Sequence, residues 1–173
     1  MKTPAHIQTR PSTSPLGPML LAASPLGLCG VWFVNQKHYP LDRALQAPTV
    51  ASVASDASQA WLDQAAQQLT HYFAGHRQHF DLPLDLSIGT AFQQSVWHAL
   101  LDISRGQTES YGALAARVGR PSAARAVGAA VGRNRISIIV PCHRVVGSNG
   151  ALTGYAGGLE RKVALLQLEG CLL

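Results

Sequence analysis

The segment Ile136–Val140 is almost wholly apolar and runs directly into Pro141-Cys142-His143-Arg144-Val145. A chain that buries this run carries the next residues inward with it. Proline fixes φ beside the cysteine, so the thiol is held rigidly. A cysteine next to an apolar run is most often a small core residue. His143 and Arg144 are polar groups that an inert core would not gather. Both residue types also lower a thiol pKa from about 8.5 toward neutrality. The pattern therefore leaves a structural and a reactive Cys142 both open. Cys and His adjacent in sequence seldom form a direct dyad, so a bridging water is expected between them.

The 173 residues make about one domain or two small ones. With 47% apolar and 13% charged residues, the chain buries a core and is not a charge-rich disordered segment. Its net charge of +5 is uneven. Residues 1–100 hold 5 basic and 5 acidic residues, whereas residues 101–173 hold 9 basic and 4 acidic. The excess favours a polyanionic partner in the C-terminal part, nucleic acid before membrane. A merely solvated basic surface has the same charge. No apolar run is long enough to span a bilayer. Lys2, His6 and Arg10 ahead of Pro18–Ala23 faintly resemble a signal peptide, but Pro25 and Gly27 cut the apolar stretch. The segment reads as a structural hairpin of a cytoplasmic protein. Cys29, Cys142 and Cys171 are far apart, which suits neither a disulfide framework nor a metal site.

The hydrophobic patterning predicts an α+β fold with two parts, 1–85 and 86–173. Residues 1–15 read as loose. Met19–Ala23 and Gly27–Asn35 read as a β-hairpin around Ser24-Pro25-Leu26-Gly27. Residues 36–56 show no strong periodicity. Asp56 and Gln59 suit a capping box for a helix with Leu62, Ala66, Leu69 and Phe73 inward and Gly75 as its stop. Residues 76–89 read as a linker. The second part is mainly helical. Thr90 with Gln93 is a second capping box, followed by Phe92, Val96, Leu100 and Ile103 on one face. Ser110 caps a short helix closed by Gly119, and Pro121 suits the first position of the next, which runs to about Val131. These two form a helix-turn-helix candidate, although an ordinary αα-hairpin has the same pattern. Leu159–Glu169 is the last helix, stopped by Gly170.

The second helix of that pair has an unusual surface. Ser122, Ala123, Ala124, Ala126, Gly128, Ala129 and Ala130 are all small, with Arg125 the single long side chain. A helix that reads bases in the major groove needs forked side chains. This one suits close approach to a backbone or shallow groove, or a close helix–helix contact.

Pro141-Cys142-His143-Arg144-Val145 resembles the active-site signature of the O6-alkylguanine-DNA alkyltransferases, constitutive bacterial type. Ser110-Tyr111-Gly112, Ala124-Arg125-Ala126-Val127-Gly128, Asn134, Gly154-Tyr155-Ala156-Gly157-Gly158 and Leu168-Glu169-Gly170 follow the family's order. Ser24-Pro25-Leu26-Gly27 and Tyr72-Phe73-Ala74-Gly75 resemble it more weakly. The resemblance implies a DNA repair protein that moves alkyl groups from O6-alkylguanine irreversibly to Cys142, once per molecule and with no cofactor. Activity on O4-alkylthymine is left open. By the same analogy His143 deprotonates Cys142 through a water and Glu169 orients the imidazole. Tyr111 donates to the base edge, and Asn134 is the hinge between the DNA-binding helix and the active site. Tyr155 walls the pocket, and the backbone around Val145 and Ala156 reads the guanine edge. The substrate base must leave the duplex. Arg125 fills its place, while Ser122, Ala126 and Ala129 meet the minor groove. Arg117, Arg120, Arg133 and Arg135 are candidates for phosphate contacts. Arg135 stands where many relatives carry proline.

The partner implied is double-stranded DNA, bound by a monomer, with association along DNA left open. Two other readings remain at this point. One is a non-catalytic alkyltransferase-like lesion sensor, which would lack the cysteine. The other is a transcriptional regulator using the same helix-turn-helix.

Overall fold

Ser-Pro-Leu-Gly occurs twice, at 14–17 and 24–27, and each copy turns the chain. In the computed structural model, which describes residues 7–40 and 56–171, these turns connect three antiparallel strands. They are β1 (Gln8–Ser14), β2 (Gly17–Ser24) and β3 (Gly27–Phe33). At the first turn the Leu16 N–H donates to Ser14 Oγ at 3.2 Å; at the second, the Leu26 N–H donates to Ser24 Oγ at 3.1 Å. Gly17 and Gly27 take φ of +114° and +149°, which side chains resist. The segment expected to be loose is therefore mostly a strand: Gln8 to Ser14 pair with Ala23 to Gly17 of β2. The first copy of the turn tetrapeptide was the signal for it. Pro11 is accommodated because β1 is an edge strand. Residues 1–6 of that stretch lie outside the described residues, as do 41–55 of the aperiodic stretch and the Asp56 side chain expected as a cap.

The chain divides into two compact units, Met1–Asn35 with Tyr39–Asp85, and Gln36–His38 with Leu86–Leu173. In the first, α1 (Asp56–Phe73) covers the sheet. Its inward residues are Leu62, Ala65, Leu69 and Tyr72. Ala66 and Phe73, expected inward, are only half-buried, because the sheet meets the helix about a third of a turn away. The stretch expected as a linker is partly structural. The Leu28 N–H donates to Pro83 O and the Asp85 N–H to Leu28 O, both at 2.8 Å, and buried Asp85 accepts from Ser24 Oγ at 2.6 Å.

The second unit holds α2 (Ala91–Leu101), β4 (Glu109–Ser110), α3 (Tyr111–Arg117), α4 (Ala124–Gly132), a 3-10 turn (Cys142–Arg144), β5 (Val145–Val146) and α5 (Leu159–Leu168). The capping box at α2 forms in both directions, Gln93 N–H to Thr90 Oγ1 and Thr90 N–H to Gln93 Oε1. Ser110 Oγ caps α3 through the Ala113 N–H at 3.1 Å. Gly119 and Gly170 close α3 and α5 at φ of +73° and +79°. Pro121 does not open α4, which starts at Ala124. It sits in a turn closed by the Ala123 N–H on Arg120 O at 2.8 Å, where its fixed φ is equally suited. Trp97 packs beneath α4 and donates its Nε1–H to Ala130 O at 2.8 Å. The short strands β4 and β5 pair in parallel, bringing Glu109 opposite Val145 and Ser110 opposite Val146.

Candidate active site

The run Ile136–Val140 is buried as a succession of turns, with Ile138 at φ +73°. A β-branched residue rarely takes that conformation, so the surroundings must impose it. Asn134 supplies the frame. Its Oδ1 accepts from the Ile136 N–H at 3.0 Å, and its Nδ2 donates to Val140 O at 2.9 Å and to Cys142 Sγ at 3.0 Å. The Asn134 side chain thus bonds the loop and the thiol together.

Cys142 is buried, and burial pushes its thiol up to about 11. The Asn134 hydrogen bond and the charge of Lys162 pull the other way without overcoming it. The expectation that His143 and Arg144 bring this thiol toward neutrality is corrected here. Arg144 turns away from the sulfur and forms a bidentate pair with Glu169, Nε to Oε2 and Nη2 to Oε1, each at 2.8 Å. Its Nη1 donates to Ile103 O.

His143 Nε2 lies 2.9 Å from Glu169 Oε1. Burial alone would raise the Glu169 carboxyl, but Arg144 and then His143 hold it well below the carboxylate range. An ionised carboxylate only accepts, so Nε2 carries the proton and Nδ1 has the free lone pair. Nδ1 is buried and has no hydrogen-bond partner among the described residues. Burial holds the imidazole below its usual pKa despite Glu169, so it rests neutral.

Lys162 is a site residue that sequence reasoning missed. It is fully buried, and its Nζ donates to Val145 O at 2.5 Å and Thr153 O at 2.9 Å. Burial lowers it to about 8, while a Cys142 thiolate would raise it. The signal was its place on α5 in the inward row with Leu165, Leu166 and Glu169. Val145, expected to offer its backbone to the base, gives its N–H to Cys142 O and shares its carbonyl with Lys162.

Tyr111, Tyr155 and Ala156 line one pocket of about 460 Å3 with Gly128, Ala129 and Gly154. The Tyr111 hydroxyl lies 3.3 Å from the carbonyls of Thr153 and Gly154. Burial raises its pKa, and a Cys142 thiolate would raise it further. Arg125, Ala126 and Ala129 are exposed on α4, and Ser122 and Arg120 are exposed in the turn before it. Arg133 is exposed and Arg135 half-buried. Arg117 is a correction. It bridges Glu109 at 2.6 Å and Asp102 at 3.1 Å and donates to Ala99 O at 2.7 Å, which fastens α3 to α2 instead of leaving it to a phosphate.

Two family models match the chain: "6-O-methylguanine DNA methyltransferase, ribonuclease-like domain" over residues 12–86, and "6-O-methylguanine DNA methyltransferase, DNA binding domain" over residues 91–171. The methylated-DNA–protein-cysteine methyltransferase of Mycobacterium leprae is 48% identical over 163 residues, covering 94% of this chain and 92% of that one. The crystal structure of the Mycobacterium tuberculosis O6-methylguanine methyltransferase superimposes with a TM-score of 0.81 at 46% identity, covering 95% of this chain and 93% of that one. Mycobacterium tuberculosis OGT in complex with DNA gives 0.79 at 45% identity, with 94% and 92% covered.

Proposed function

The chain belongs to the 6-O-methylguanine DNA methyltransferase family, and from that premise we propose that Cys142 Sγ is the atom that takes the alkyl group. The protein is a DNA repair methyltransferase that moves alkyl groups from DNA to its own cysteine, and DNA is its partner. The observation that carries the assignment to Cys142 is the hydrogen-bond geometry around its sulfur. Asn134 donates to Sγ, and the charge of Lys162 favours the thiolate. Next in the chain, His143 keeps a free lone pair on Nδ1 because Glu169 accepts from Nε2.

In the proposed reaction His143 Nδ1 takes the thiol proton through a water, and Glu169 steadies the imidazolium. The thiolate attacks the alkyl carbon in line. The S–C bond forms as the C–O6 bond breaks, and the electron pair leaves with guanine. Tyr111, on the pocket wall, donates to the departing base. Asn134, Lys162 and Arg144 are positioning residues. A thioether has no easy return to thiol, so each molecule acts once.

The duplex side follows from α4. Its exposed face offers Ala126 and Ala129 around Arg125, too short for the major-groove code and suited to close approach in the minor groove. Arg125 fills the space of the extruded base, and Arg120, Arg133 and Arg135 face the backbone. A monomer holds every group this reaction uses. The three cysteines are free thiols, in keeping with a reducing cytoplasm. No helix among the described residues is long and apolar enough to cross a membrane.

The test is intact-protein mass spectrometry after incubation with a duplex carrying O6-methylguanine. The expected result is the gain of one methyl group, mapped to Cys142, with none in Cys142→Ser while DNA binding persists. Methyl found instead on Cys29 or Cys171 would defeat the assignment.

A further inference from the structure

The residues Gln36–His38 group with the C-terminal unit although Asn35 and Tyr39 on either side do not. The Lys37 N–H donates to Ala156 O at 2.9 Å. Gln36 is buried, and its Oε1 accepts from Ser137 Oγ at 3.4 Å. His38 takes φ +62°, a region histidine enters more readily than most residues. The segment is thus a strap fastened to the wall of the proposed base pocket.

The strap changes the chemistry of that pocket. Lys37 and His38 line it together with Arg133, and among the described residues no Asp or Glu does. Both strap side chains are exposed, and neither they nor Arg133 pair with a carboxylate among the described residues. Lys37, His38 and Arg133 thus share the lining of one concavity. Like charges gathered around a concavity raise the local potential and attract an anion. A nucleotide that leaves the stack stays bonded to the phosphates on either side of it. Those negative charges arrive at the pocket mouth with the base.

Resting on the reading that this pocket takes an extruded alkylguanine, we infer that Lys37 and Arg133 clamp a phosphodiester of the DNA strand beside the extruded nucleotide, with His38 as a neighbouring hydrogen-bond donor. The strap then contributes to the site from a part of the sequence far from the helix-turn-helix.

Lys37→Gln removes the charge and leaves the strap's backbone bond to Ala156 intact. Binding is measured in a Cys142→Ser background, with a duplex carrying one O6-methylguanine, across a range of salt concentrations. The magnitude of the slope of log K against log salt should fall by about 0.9 for Lys37→Gln and again for Arg133→Gln, the loss of one phosphate contact each. Lys37→Arg should restore the slope. In the reactive protein, Lys37→Gln should slow duplex repair far more than reaction with free O6-benzylguanine, which has no phosphate. Unchanged slopes in both variants, or equal losses on both substrates, would overturn the clamp and leave the strap as pocket wall only. A protein that shows the slope change yet moves no methyl group to Cys142 would defeat the transfer assignment and leave the clamp standing.

Discussion

Asn134 Nδ2 lies 3.0 Å from Cys142 Sγ and 2.9 Å from Val140 O, so one amide group bonds both the thiol and the turn that presents it. A donor directed at sulfur favours the thiolate, and Cys142 needs this because burial opposes ionisation. Asn134→Ala should raise the thiol pKa further above about 11 and slow transfer at neutral pH. It also removes a donor from buried Val140 O and an acceptor from the Ile136 N–H, at a cost of about 1–3 kcal/mol in stability. Iodoacetamide reactivity against pH and urea unfolding measure the two effects. A thiol that titrates as in the wild type would remove Asn134 from the chemistry and leave it a loop brace.

In the proposed reaction His143 and Glu169 serve one task, so their losses should not multiply. Single-turnover rates are compared for His143→Ala, Glu169→Gln and the double variant. The double variant should be little slower than the worse single variant. Raising the pH should recover part of the rate in each, because hydroxide replaces the missing base. Independent multiplicative losses with no recovery at high pH would show that the two do not share a proton path.

Acid should destabilise the protein in two stages. His143 is held below its solution value of 6.5, so the unfolded chain binds its proton first and stability falls as the pH drops below 6.5. Glu169 is held below its solution value of 4.5, so the stability it confers is complete above 4.5 and is lost as the pH drops from there toward its folded pKa. His143→Ala should abolish the first stage in urea unfolding free energies measured against pH. Arg144→Ala leaves the buried carboxylate without its bidentate partner and should cost about 3–5 kcal/mol at neutral pH. An acid profile identical in wild type and His143→Ala would contradict the neutral, buried imidazole.

Arg125 is exposed on α4, and the proposed function assigns it to the duplex rather than the thiol. Extruding a base costs roughly a few kcal/mol. Arg125→Ala should slow repair of duplex DNA by about ten-fold or more, since about 1.4 kcal/mol corresponds to one decade. Its effect on free O6-benzylguanine should be far smaller. Rates on both substrates decide the matter, and equal losses would assign Arg125 to the fold.

The sequence by itself determined what depends on near neighbours. The α2 capping box, the Ser110 cap and the glycine stops at Gly119 and Gly170 are set by side-chain hydrogen bonds and φ preferences spanning a few residues, and they formed as expected. The buried run leading to Cys142 was legible for the same reason, because apolar residues in succession leave water whatever they pack against. Tertiary structure alone decided where the long charged side chains end. Arg144 is drawn to Glu169, 25 residues away, instead of to the adjacent thiol. Arg117 is captured by Glu109 and Asp102, and Lys162 is turned inward onto two carbonyls. The Lys37 strap joins a pocket whose other walls come from residues 111–156. These flexible side chains take whichever partner the packed elements bring within reach, and a buried charge without one is too costly to persist. That choice is made by contacts between residues 8 to 25 positions apart in the sequence and in different elements, on which local patterning has no bearing.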